Sequence, residues 1–155
     1  MDLSVYLPLK PIQEVSRKGI VYCPHQPSNS LYLVLSGRVK VSRAFSGGEI
    51  TCRIVHKGGL FGEPALVDAQ HRSDSAAALD RVTLMAWSCD EMEHQIELNP
   101  ELGLAISRYL ARHCMELAER MKSMAVQQNS RTGDAGDAPV RSRSRCADGR
   151  RFHAG

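Results

Sequence analysis

Between residues 12 and 88 the apolar residues fall into short runs broken at close intervals by turn residues, and this pattern restricts the fold more than any other feature of the chain. The runs are 20–23, 31–36, 38–45, 49–55 and 82–87. Segments this short and this numerous predict an all-β sandwich or barrel. Along 38–43, Val39 and Val41 alternate with Arg38, Lys40 and Ser42, which gives that strand one buried face and one wet face. Ser46-Gly47-Gly48 supplies the backbone freedom of a hairpin tip, and Gly37 that of a tight bend.

After residue 88 the period changes. Ser88 with Glu91 three positions on forms a capping box, so a short helix is expected to run to about Leu98. Asn99-Pro100-Glu101 then restarts a helix: Asn99 as cap, Pro100 where a missing N–H costs nothing, Glu101 favourable to the dipole. It is expected to continue to about residue 128, roughly 40 Å at 1.5 Å per residue, which is longer than so small a β-domain can cover. Its first turns, through Leu102, Leu104, Ala105 and Ile106, have the apolar character to pack on that domain. Farther along, Leu110, Cys114, Leu117, Met121 and Met124 recur at spacings of four, three, four and three, a heptad seam. With Ile106 these residues make the expected homodimer interface.

Charge and composition bound the function. Residues 1–129 hold 14 Lys/Arg against 14 Asp/Glu, while 130–155 hold six Arg against three Asp. The excess of +3 therefore sits in the tail, and the folded part is not a basic nucleic-acid surface. Residues 129–155 have no apolar period and read as a disordered Arg/Gly/Ala-rich tail. No apolar run reaches the roughly 18 residues of a membrane span, and Pro8, Lys10 and Pro11 interrupt the N-terminus before a signal peptide could form. A cytoplasmic protein without membrane contact is expected. The five cysteines lie far apart; Cys23 with His25, or His113 with Cys114, lacks a second pair to complete a tetrahedral site, so no metal is expected. Six scattered histidines have no nucleophile and orienting partner, so no catalytic residue and no enzyme activity is expected.

The chemistry concentrates in Gly58-Gly59-Leu60-Phe61-Gly62-Glu63-Pro64-Ala65-Leu66 and the following Arg72-Ser73. Gly62 permits close backbone approach to a ligand, and a helical turn begun at Pro64 would aim the amides around Ala65 at an anion. Arg72 offers a planar fork matched to two phosphate oxygens, with the Ser73 hydroxyl beside it. Glu63 is unsuited to a phosphate and suited to accepting from a sugar hydroxyl. These needs together describe a cyclic ribonucleotide, with cAMP or cGMP as the effector and no cofactor besides.

These residues, with the strand pair Leu31-Tyr32-Leu33-Val34-Leu35-Ser36-Gly37-Arg38-Val39-Lys40-Val41, resemble the cyclic-nucleotide-binding domain of the catabolite activator/fumarate-nitrate regulator (CRP/FNR) family. The resemblance covers about residues 8–128. It implies a mainly β fold with α: a double-stranded β-helix, or jelly roll, in 1–99, then a long dimerisation helix in 100–128. It also implies that Glu63 holds the ribose 2′-hydroxyl and that Arg72 and Ser73 hold the cyclic phosphate, with Gly62, Pro64 and Ala65 shaping the turn.

Two departures qualify the resemblance. Where the cAMP-binding activator presents hydroxyl residues to the adenine, this chain has Leu117 and Ala118, which cannot hydrogen-bond a base. Family regulators also follow the helix with a helix-turn-helix domain that reads DNA. No recognition-helix pattern appears in 132–155, so DNA contact is expected only through a domain this chain lacks. The tail reads either as the linker of a truncated regulator or as translation in a shifted frame. A second reading of the whole is an interaction module that heterodimerises with full-length regulators and takes no small-molecule ligand.

Overall fold

The computed structural model describes residues 2–67 and 70–131. From residue 132 onward the expected tail lies outside the described residues, as do Asp68 and Ala69. Eight strands form two four-stranded antiparallel sheets: β1 (Gln13–Val15), β2 (Ile20–Tyr22), β3 (Ser30–Ser36), β4 (Val39–Phe45), β5 (Gly48–Val55), β6 (Leu60–Phe61), β7 (Ser75–Ala78) and β8 (Val82–Ser88). One sheet has the order β1-β8-β3-β6 and the other β2-β7-β4-β5, so consecutive strands alternate between sheets as in a jelly roll except for the β4-β5 hairpin, which stays in one sheet. Two helices follow, α1 (Cys89–Leu98) and α2 (Pro100–Ser130).

The two sheets differ in what covers them, and their sequences show it. Leu31 and Leu33 of β3, with Met85 and Trp87 of β8, pack against Met92, Leu102, Ala105 and Ile106 of the helices. Val34, Val82 and Leu84, on the opposite face, join Val39, Val55, Phe61 and Ala76 between the sheets. The first sheet is thus buried on both faces, which is why β3 and β8 read as nearly continuous apolar runs. Strand β4 keeps its alternation through Val39, Lys40 and Val41, but Ser42, expected on the wet face, is buried beside an irregularity in the β4-β5 register, its hydroxyl 3.1 Å from Ser75 Oγ. Strand β7 is Ser75-Ala76-Ala77-Ala78, a poor strand former that is held in place by pairing with β2 on one side and β4 on the other.

The helical signals are realised in detail. Ser88 Oγ accepts from the Glu91 amide at 3.1 Å and Glu91 Oε2 accepts from the Ser88 amide at 2.8 Å. Asn99 caps α2 through the Glu101 amide at 3.3 Å, and the helix ends two residues beyond the expected 128. Leu102, Ala105 and Ile106 are buried, but Leu104, off this phase, is 51% exposed rather than packed on the β-domain. Ile106 also requires a correction: at 5% exposure it belongs to this chain's own core and offers no surface to a twin. Leu110 packs against the same core, whereas Cys114, Met121 and Met124 are exposed.

Candidate functional site

A 3₁₀ turn at Glu63–Val67 follows β6, and Gly62 makes the join at φ +85°, a left-handed conformation that a side chain would strain. A Cβ at Gly62 would stand 2.9 Å from the Ser30 carbonyl oxygen and 3.1 Å from Arg72 Nη1, so the position also demands a glycine on space. The Ala65 amide donates to Gly62 O at 3.1 Å. That amide, expected to face an anion, is therefore spent inside the turn, and Pro64 has none to give.

Arg72 reaches the same glycine from the other side. Its Nη1 donates to Gly62 O at 3.1 Å and its Nη2 to Ser30 O at 2.5 Å. The guanidinium carbon lies over the Tyr22 ring, 4.2 Å from the centroid, with Tyr32 tilted against Tyr22 and stacked on Phe61 beyond. The residue is only 2% exposed, its Nε has no partner, and no carboxylate among the described residues touches it. A buried cation without a carboxylate in contact is costly, and the ring and two carbonyls offset only part of that cost. Ser73, next in the chain at the bend before β7, is exposed.

Asp74, which the sequence reading did not single out, is buried as well. Its Oδ2 stands 3.4 Å from the Tyr22 hydroxyl, while Oδ1 has no partner. Tyr22 thus sits between a buried carboxylate and a buried guanidinium. Burial first, and the Asp74 charge second, hold its phenol well above the ordinary tyrosine range.

Glu63 is not free. It forms an ion pair with Arg53 of β5, and the two side chains are 15% and 10% exposed. Arg53 Nη2 also donates to Leu60 O at 3.0 Å, and its Nη1 to the Tyr109 hydroxyl of α2 at 3.3 Å. That hydroxyl donates to Leu60 O at 2.8 Å and accepts from Leu60 N at 3.0 Å. Cassette, strand and long helix therefore meet in one network. His113, one turn after Tyr109, lies at its margin. Burial, then the Arg53 charge, lower its pKa below the usual histidine value. Arg53 was legible after the fact: it shares the inward parity of β5 with buried Val55, where a charge needs a partner.

Residues 62–65 and 72 are thus brought together around Gly62. Leu117 and Ala118 lie farther along α2, half-buried and exposed respectively. The second half of that helix is tied to the β5 edge, where Arg120 donates to the Cys52 and Thr51 carbonyls.

Residues 12–99, which contain this whole arrangement except its helix contacts, match the model of the cyclic nucleotide-binding domain. The chain belongs to that family. Among curated relatives, this cyclic nucleotide-binding domain is 26% identical over 118 residues to the global nitrogen regulator of Nostoc sp., covering 74% of this chain and 52% of the relative. It is 30% identical over 105 residues to the CRP-like cAMP-activated global transcriptional regulator of Mycobacterium tuberculosis, covering 67% and 46%. The chain spans about half the length of such relatives. Among solved structures, the Thermus thermophilus catabolite activator protein superposes with a TM-score of 0.65 at 28% identity, over 79% of this chain and 56% of that one. Both of these curated relatives are named as global regulators, the second as a transcriptional one. Among the described residues no helix is long and apolar enough to cross a membrane, and no cluster of metal-ligating side chains occurs.

Proposed function

We propose that this domain is the effector-binding part of a CRP/FNR-type transcriptional regulator acting in the cytoplasm, and that its effector is a cyclic nucleotide. The observation that carries the reading is Arg72: a nearly fully buried guanidinium with no carboxylate among the described residues in contact, in the family-matched segment, bonded to the carbonyl of Gly62, which precedes the acid at position 63. A phosphodiester supplies the missing anion. The two carbonyls now holding Arg72 are neutral, so a phosphate can take the fork from them. Ser73, already exposed, adds its hydroxyl to the phosphate. The 62–65 turn lies beneath the ring, and Glu63 accepts from the ribose 2′-hydroxyl through the oxygen that Arg53 does not use.

Residues 1–99 act as the sensor and 100–128 as the dimer helix. Leu110, Cys114, Leu117, Met121 and Met124 form the seam with a twin. Leu117 and Ala118 give the base only apolar contact, so the grip is on sugar and phosphate, and cAMP and cGMP are both candidate effectors. The ligand acts by binding one arrangement of α2 better than another, and reading of DNA belongs to a domain other than this one.

The test is a thermal-shift screen of cAMP, cGMP and their 5′-monophosphates on the wild type and on Arg72→Ala. A stabilisation by cyclic forms that vanishes in Arg72→Ala supports the proposal. No shift with any cyclic nucleotide, from a chain that still dimerises, would favour instead the module that pairs with full-length regulators and takes no ligand.

A further inference from the structure

A cleft of about 280 Å³ opens between the turn joining β5 to β6 and the middle of α2. Neither Glu63 nor Arg72 lines it. The turn contributes His56 and Lys57, and the helix Tyr109, Arg112, His113 and Glu116. Arg53 forms the floor, its charge already matched by Glu63. Among the described residues Lys57 and Arg112 make no hydrogen bond or ion pair, and the one carboxylate among the lining residues, Glu116, stands 3.9 Å from His113 Nδ1. Two cations without an ion pair, Lys57 on one wall and Arg112 on the other, stand with His56 and His113 over a cleft whose one lining acid is Glu116; Asp2, beside Gly58, feels the Lys57 charge from outside it.

The turn is held rigid. The Gly58 amide donates to Val34 O at 2.8 Å, the Gly59 amide to His56 O at 2.9 Å, and Gly59 O accepts from the Val34 amide at 3.0 Å. With the Gly58 and Gly59 amides spoken for, recognition here falls chiefly to side chains, an ammonium on one wall and a guanidinium fork on the other. Both suit the oxygens of a phosphoryl or carboxylate group. We infer that this cleft is a second anion site, distinct from the cassette, for a small multiply charged anion that bridges Lys57 and Arg112. Such a ligand would fasten α2 to the β-domain at the level of the Arg53–Tyr109 link. It would give the helix an input that does not pass through Arg72, and it stands whether or not the cassette takes a cyclic nucleotide.

Inorganic pyrophosphate is the probe, titrated calorimetrically into the full chain at constant ionic strength. Wild type is compared with Lys57→Ala/Arg112→Ala and with Arg72→Ala. Both substituted cleft residues are exposed, so the double variant is expected to fold as the wild type does. The wild type is expected to bind with Kd of about 1 mM or tighter, and the double variant about tenfold more weakly, as the loss of two partly exposed charge contacts requires. Arg72→Ala is expected to bind as the wild type does. The inference is overturned if the wild type does not bind, if the double variant binds equally well, or if Arg72→Ala abolishes binding and so places the anion in the cassette.

Discussion

Replacing Arg53 by Met tests the network that joins cassette to helix. The substitution keeps most of the side-chain volume and removes the charge that faces Glu63, leaving a carboxylate that is 15% exposed without its partner. Removing one member of a buried ion pair costs about 3–5 kcal/mol; because both side chains keep some contact with water, the lower end, about 3 kcal/mol, applies here. Leu60 O keeps its bond from Tyr109, so loss of the Arg53 bond to that carbonyl adds little. Urea unfolding followed through the single tryptophan, the fully buried Trp87, reads the change directly. With a slope of about 2 kcal/mol/M, the midpoint falls by about 1.5 M. Glu63→Gln strands the guanidinium in the same way, while the double variant Arg53→Met/Glu63→Gln strands neither charge. The two single losses therefore sum to about 2 kcal/mol more than the double loss. A midpoint for Arg53→Met within about 0.3 M of the wild type, or strictly additive singles, would refute the buried pair.

Three further perturbations follow from the same geometry. Tyr109→Phe removes the hydroxyl that satisfies both polar groups of buried Leu60, and is expected to cost about 1–3 kcal/mol in urea unfolding. Gly62→Ala places a Cβ against Ser30 O and Arg72 Nη1 at positive φ, and is expected to lose about 1–3 kcal/mol of stability together with the thermal shift given by cyclic nucleotides. Burial and the Arg53 charge disfavour protonation of His113, so the unfolded chain takes up that proton first as pH falls below about 6.5. The contribution of neutral His113 is complete above that pH and is lost as pH drops through the depressed native pKa. The wild type should therefore lose more stability between pH 7.5 and 5.5 than His113→Gln does, measured by urea midpoints at the two pH values.

What the sequence made legible, and what it did not, follows from the range of the forces involved. Strands with one wet face, the Ser88 capping box and the Asn99-Pro100 restart are local signals, and each was readable from a few neighbouring residues. Strand β7 was missed because three alanines carry no strand signal of their own; their conformation is imposed by β2 and β4. Leu104 and Ile106 were misplaced for a related reason, since periodicity shows that a helix has an apolar stripe but not where the β-domain ends and free surface begins. Of the site, Gly62, Glu63 and Arg72 stood out by spacing. Arg53 and Tyr109 lie 10 and 46 positions from Glu63 in the chain and meet it only through the fold. Asp74 showed only in the two-residue alternation after Arg72, a pattern too short to read without the structure.

The division of labour between acid and guanidinium is tested most directly by calorimetric titration of cAMP and 2′-deoxy-cAMP into the wild type and into Glu63→Gln. A hydrogen bond to a charged acceptor is worth about 1.5–3 kcal/mol, so the wild type should prefer the ribose form by about tenfold or more, and Glu63→Gln should lose most of that preference. An undiminished preference in Glu63→Gln, or a wild type that binds neither compound, would contradict the account.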